Sequence, residues 1–234
     1  MTDAQLTSTT AMLDWLGATG AASASELAAV AALSSRTVLT RLRALEHAGL
    51  VSSAELLRGE PPLHTLTRRG LRAAGRPELD PISISASSFG HFLAVARVAV
   101  ALRAAGESVG GERELRAFER IEGRPLASAA VGLARDGATA WHRPDLVCWR
   151  AGAPLAIEVE LTVKAPERLR TIVRGWARSR LVEGVVYYAT TPAARALRAA
   201  VRIESAQEAV AILALERAGE LPAFHATSSN PSGA

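Results

Sequence analysis

The chain has 234 residues, room for one large domain or two small ones, and its 49% hydrophobic content supplies a sizeable core. One cysteine, Cys148, excludes an internal disulfide and a multi-cysteine zinc site. The five histidines (His47, His64, His91, His142, His225) show no close metal-ligand spacing. No apolar run is long enough to span a bilayer, and the N-terminus lacks the basic-then-apolar pattern of a secretory leader, which predicts a soluble, cytoplasmic protein with no membrane association. The net charge of +4 is uneven: residues 1–80 carry eight basic and eight acidic side chains, residues 81–234 carry 19 and 15. Of the 27 basic residues a single one, Lys164, is lysine.

Residues 8–75 read as three helices and a hairpin. Leu13 and Leu16 mark a first helix that stops near Gly17–Gly20, and Ser23 or Ser25 caps a second with Glu26 in its first turn. A turn through Ala32-Leu33-Ser34 leads to a third helix, 35–47. There Val38, Leu42 and Leu45 repeat at helical spacing, and Ser35, Arg36, Thr37, Thr40, Arg41 and Arg43 occupy much of the remaining surface. Gly49 ends it. Strands at Leu50-Val51 and 63–66 flank the turn Arg58-Gly-Glu-Pro-Pro62, and Thr67-Arg-Arg-Gly70 opens another helix.

The run Ser25-Glu-Leu-Ala-Ala, Ser35-Arg-Thr-Val and Leu42-Arg-Ala-Leu-Glu-His-Ala-Gly-Leu-Val51 resembles the winged helix-turn-helix. Such a third helix fits the major groove of duplex DNA. Arginine gives two parallel hydrogen bonds to guanine, and serine and threonine hydroxyls reach phosphates or bases. Arg58, at the hairpin tip, would lie over the adjacent backbone or minor groove. The neutral charge of this half equally permits a winged-helix scaffold that contacts protein.

Residues 76–88, with Pro77, Pro81 and four serines, read as a linker. A helix follows from Phe89 to about Ala105, Gly110-Gly111 breaks the chain, and 112–119 forms a short charged helix with Leu115 and Phe118 inward. Leu146–Trp149 and Leu155–Thr162 are neighbouring strands joined by the turn 150–154. Pro166 starts an amphipathic helix to about Leu181, and 184–190 is a buried strand. Helices at about 192–200 and 205–218 flank a short strand at Val201–Ile203. The class is α+β, with a small mixed sheet in the second domain at 89–220 and a disordered tail at 221–234.

Alternation in Ile157-Glu-Val-Glu-Leu161 puts Glu158 and Glu160 on one strand face, and Asp145 opens the preceding strand. If the strands pair, three carboxylates meet at one end of the sheet. Repulsion there is relieved by a divalent cation or a raised pKa, and oxygen-only ligation favours Mg²⁺ or Mn²⁺. The plainer alternative is a solvated strand face whose acids pair with arginines, with Asp145 in an Asx-type turn.

Pro144-Asp145, a dozen residues, then acid-x-acid on a strand resembles the PD-(D/E)XK nuclease fold. With the helix carrying His91, Glu112-Arg-Glu-Leu-Arg116 and Arg143-Pro-Asp-Leu146, residues 10–205 resemble the replication-relaxation family of plasmids and mobile elements. The resemblance implies an N-terminal winged helix-turn-helix domain (1–75) joined to a PD-(D/E)XK-like domain. Asp145 and Glu158 would be metal-binding acids, with the Val159 carbonyl beside them and Glu114 or Glu112 adding a carboxylate. Metal-activated water would attack a phosphodiester. The implied partners are duplex DNA, a second copy of the chain, and replication or conjugation proteins. The family's lysine position holds Glu160, a candidate catalytic residue that would bind a second metal or mark the loss of cleavage. Lys164, four residues on, is the candidate substitute, or an ordinary surface lysine. The departure equally suits a non-enzymatic regulator or replication accessory factor whose second domain serves dimerisation or docking.

Arg170, Arg174 and Arg178 fall at i, i+4 and i+8 on the helix after the acids. They are candidates for the DNA backbone, or a solvated face in an arginine-rich chain.

Overall fold

Small polar residues placed just before apolar runs set the helix starts, because each satisfies backbone N–H groups that the first turn leaves open. The computed structural model describes residues 3–224. After α1 (Asp3–Thr19) and the two-residue β1 (Ala21–Ala22), α2 (Ala24–Ala31) begins at a reciprocal cap: the Ser23 hydroxyl accepts from the Ser25 N–H and the Glu26 carboxylate from the Ser23 N–H. Ala32, at φ 51°, ends it in a left-handed turn, and Ser34 caps α3 (Ser35–His47). Val38, Leu42 and Leu45 are buried along one side of α3.

Strands β2 (Val51–Ala54) and β3 (Leu63–Leu66) form an antiparallel hairpin, and β1 adds to β3 to complete a three-stranded sheet. Thr67 caps the short α4 (Arg68–Ala73). Its Gly70 lies so close to the Leu50 carbonyl that no β-carbon fits there.

The rest of the chain builds α5 (Ala86–Ala104), β4 (Ser108–Gly111), α6 (Glu112–Glu122), the hairpin β5 (Ala129–Leu133) and β6 (Thr139–His142), β7 (Leu146–Trp149) and β8 (Leu155–Glu160). Then come α7 (Pro166–Arg178), β9 (Gly184–Ala189), α8 (Thr191–Ile203) and β10 (Val210–Ala214). The five-stranded sheet runs β10-β9-β8-β7-β4, parallel among β8, β9 and β10 and antiparallel at β7 and β4. The protein is thus α+β with a small mixed sheet.

Period-2 alternation sends the two sheet faces into two cores. Leu146, Cys148, Leu155, Ile157, Val186 and Tyr188 join α1, α2, α3 and α5 in one. Val147, Ala156, Val185, Tyr187 and Ala189 pack under α7 and α8 in the other. The N-terminal helices therefore share a core with the sheet, and residues 76–88 are a packed strap rather than a free linker. Leu79 is buried, Arg76 pairs with Glu114, Arg113 donates to the Leu16, Gly17 and Asp80 carbonyls, and Ser85 already caps α5.

Three further differences from the sequence reading have local causes. Val201–Ile203 is the end of α8, because Val201 continues the buried stripe of Ala194, Leu197 and Ala200. The alanine-rich segment expected as a helix at 205–218 contains β10, whose parallel pairing with β9 overrides alanine's helical preference. Phe118, expected inward, is about one-third exposed and tilts against Trp149 at 6.1 Å. Of the tail at 221–234, Leu221 and Phe224 pack on the core, with Phe224 over Gly184, and residues 225–234, including His225, lie outside the described residues. Among the described residues no helix is long and apolar enough to cross a membrane.

Candidate functional site

The β7–β8 ladder, with Leu146 opposite Ile157, brings Asp145 beside the end of β8. Asp145 continues the ladder with its side chain: Oδ2 accepts from the Val159 N–H at 2.7 Å. Its other oxygen, Oδ1, lies 3.0 Å from Nε2 of His91, which α5 brings from the opposite side of the sheet.

Glu158 and Glu160 share the face that α7 covers, and both are 5% exposed. Glu158 Oε1 receives His142 Nε2 at 2.6 Å from β6 and Trp176 Nε1 at 3.2 Å from the inner side of α7. The His142 and Trp176 rings meet edge to face at 5.8 Å. Glu160 is ion-paired with Lys164. Tyr187, opposite Glu158 on β9, holds a buried hydroxyl with no partner among the described residues.

Burial pushes the Glu158 carboxyl up, and the charge and hydrogen bond of His142 pull it part of the way back. Burial works to lower the His142 imidazole, but the Glu158 carboxylate outweighs it and leaves it raised. His91 is raised chiefly by its hydrogen bond to Asp145. Burial lifts the Tyr187 phenol well above its ordinary range. The end of the sheet is therefore fastened by two imidazole–carboxylate pairs and one lysine–carboxylate pair, tying α5, β6 and the segment after β8 to one strand end.

Four of the acids and bases singled out in the sequence, Asp145, Glu158, Glu160 and Lys164, come together here. Glu114 does not join them. It is buried on α6, where burial raises its carboxyl while Arg76 holds it in an ion pair. Each candidate metal-binding carboxylate is thus committed through at least one oxygen to a proton donor of the protein, and both oxygens of Asp145 are so bound. Among the described residues no group of three His, Cys, Asp or Glu side chains is arranged to hold a metal ion.

The sequence undervalued three residues. His142, three before Asp145, read as a phosphate or proton-transfer partner or, more plainly, as a structural histidine at a strand start. Trp176 read only as the buried side of its helix, and Tyr187 only as part of a buried strand. The available signal was that Tyr187 and Trp176 each carry a polar tip that a buried aromatic must satisfy.

Arg170, Arg174 and Arg178 lie on the other side of α7 from Trp176, so the helix stands between them and the acids. Read in the sequence as candidates for the DNA backbone or as a solvated face, these arginines are placed by the fold in two respects. They face away from the carboxylates, and Arg170 and Arg174 both bond Glu204 at the C-terminus of α8, at 2.8 and 2.7 Å. These bonds hold the Glu204 carboxyl down to about 2.

On α3, Ser35, Arg36 and Thr40 are exposed, and Thr37 and Arg41 are half-buried. The Thr37 hydroxyl is engaged with the Ser34 cap, and Thr40 donates back to the Arg36 carbonyl. Arg58 is exposed in the β2–β3 turn. A cleft of 340 Å³ runs between residues 78–82, α5 and α6, with His91 and Asp145 at one end. Its three arginines are already engaged: Arg113 and Arg120 on backbone carbonyls, Arg116 on Glu112. Comparison with protein-family models and with curated proteins returns no match.

Proposed function

We propose that this chain is a duplex-DNA-binding protein of the replication-relaxation kind, a regulator or replication accessory factor, whose α3 reads the major groove as the recognition helix of a winged helix-turn-helix. The nuclease-like α/β half serves as its docking partner. The observation that carries this reading is the division of α3: Val38, Leu42 and Leu45 are buried, while Ser35, Arg36, Thr40 and Arg43 are presented outward from a capped, rigid helix. Arg58 on the hairpin turn supplies the wing contact with the neighbouring backbone. In this reading the two histidine–carboxylate pairs hold the α/β half in shape, and turnover is not required of them.

Selection from a random duplex library, followed by fluorescence anisotropy at fixed salt, tests it. Arg36→Ala is expected to cost about 1–3 kcal/mol on the selected site and to relax sequence preference. Equal affinity of wild type and Arg36→Ala for selected and scrambled duplexes would remove the reading.

A second reading is favoured by Lys164, which reaches back to the strand carrying both glutamates: divalent-metal-dependent nicking by the Asp145–Glu158 end of the sheet. It requires His91 and His142 to release their carboxylates. On the leading reading, supercoiled plasmid stays intact with Mg²⁺ or Mn²⁺. Nicking that Asp145→Ala abolishes would establish the second reading instead.

A further inference from the structure

Several arginines of this protein are spent on acids. Arg76 is paired with Glu114, Arg143 with Glu119, and Arg150 with both Glu107 and Glu183. The outer side of the α7–α8 layer carries more arginines than its acids can pair. Residues 166–204 hold eight arginines against three glutamates, and one of those, Glu183, is taken by Arg150 on another part of the surface.

On α8, Arg195, Arg198 and Arg202 are exposed at spacings of three and four, opposite the buried stripe of Ala193, Ala194, Leu197, Ala200 and Val201. Arg178 is exposed in the last turn of α7. None of these four enters an ion pair among the described residues. The nearby acids are used or peripheral: Glu204 binds Arg170 and Arg174, Glu167 lies 3.5 Å from Arg170, and Glu208 follows in the turn after α8.

Glu204 has a structural consequence. By taking two arginines of α7 from the end of α8, it locks the two helices side by side, so their outward cations belong to one rigid face. The face has almost no apolar centre, with Ile203 its large exposed hydrophobic, whereas a protein partner is gripped by a buried apolar core. A row of guanidinium groups without acids fits regularly spaced phosphates, each able to accept two parallel hydrogen bonds.

We infer that the outer face of α7 and α8 is a second nucleic-acid surface, which grips the phosphate backbone of duplex DNA without reading its sequence. This rests on the reading above that the chain binds duplex DNA, but not on α3. The five-stranded sheet separates the two, since α1, α2, α3 and α5 pack on one of its faces and α7 and α8 on the other. The two surfaces therefore engage different stretches of duplex.

The test is the salt dependence of binding to a fluorescein-labelled random-sequence duplex, for full-length wild type and for the triple variant Arg195→Gln, Arg198→Gln, Arg202→Gln. These side chains are exposed and unpaired, so the variant keeps the wild-type Tm. The slope of log affinity against log salt should fall in magnitude by roughly 2–3, about 0.9 for each phosphate that is no longer neutralised, whatever the sequence. An unchanged slope overturns the inference and leaves the α3 reading in place. A reduced slope in the triple variant, with Arg36→Ala and Arg43→Ala at full affinity and preference, supports the inference and removes the α3 reading. A triple variant that keeps its duplex slope but loses binding to immobilised polyglutamate overturns the inference in favour of an acidic protein partner.

Discussion

The two histidine–carboxylate pairs at the end of the sheet use the same chemistry in different surroundings. His91 and Asp145 meet at the rim, their side chains 40% and 21% exposed, and Asp145 is also held by a backbone N–H. His142 and Glu158 meet under α7 at 21% and 6%, with an indole N–H as the additional donor. At the rim, water can replace either partner, so the pair orients α5 without being essential to it. Beneath α7 a charge that loses its partner has no water to take its place, and the pair becomes a condition for closing α7 over the sheet.

The largest effect should follow from breaking the inner pair. His142→Ala leaves Glu158 buried without its counter-charge and strips the edge-on ring from Trp176, and is expected to cost about 3–5 kcal/mol in urea denaturation. Trp176→Phe keeps an aromatic ring but removes the indole donor to Glu158 and some buried volume, and should cost at least about 1.5–3 kcal/mol, the value of a hydrogen bond to a charged group. Equal, small losses from both variants would show that α7 closes over Glu158 without needing either donor. The inner pair would then be no different from the rim pair.

How far this contrast could be read in advance depends on sequence distance. The β7–β8 pairing, the serine cap of α2, and the shared face of Glu158 and Glu160 are local, and the residue pattern announces each of them. His142 is 16 residues from Glu158 and His91 is 54 from Asp145. Those contacts exist only because the β5–β6 hairpin and α5 are packed against the sheet. Even the edge strand β4 was hidden, since Gly110-Gly111 reads as a chain break. It is a strand because it pairs antiparallel with β7, and residue 111 is a glycine because α1 passes close: a β-carbon there would stand 2.8 Å from the Ala18 carbonyl. Such glycines mark where the N-terminal helices dock on the second half, which an apparent linker at 76–88 concealed. The arginine stripe of α7 was legible as a pattern. Its direction was not, because only the fold decides which side of a helix meets the sheet.

The smallest expected effect is also the one that separates the two pairs most directly. His91→Gln removes a bond at the rim, where more than a third of the imidazole is solvated, so the loss at low pH should be about 0.2–1 kcal/mol. Its sign with pH is fixed. The hydrogen bond to Asp145 raises the folded-state pKa of His91 above 6.5, so its stabilisation is fully present below 6.5 and disappears as pH rises through the raised value. The Tm difference between wild type and His91→Gln should therefore be largest on the acid side and close above that value. The His91 Cε1–H NMR signal should titrate above 6.5 in the wild type and return toward 6.5 in Asp145→Asn. A His91 signal that titrates at 6.5 in both proteins would mean that the rim contact carries no charge. Helix α5 would then be held against the sheet by its apolar face alone.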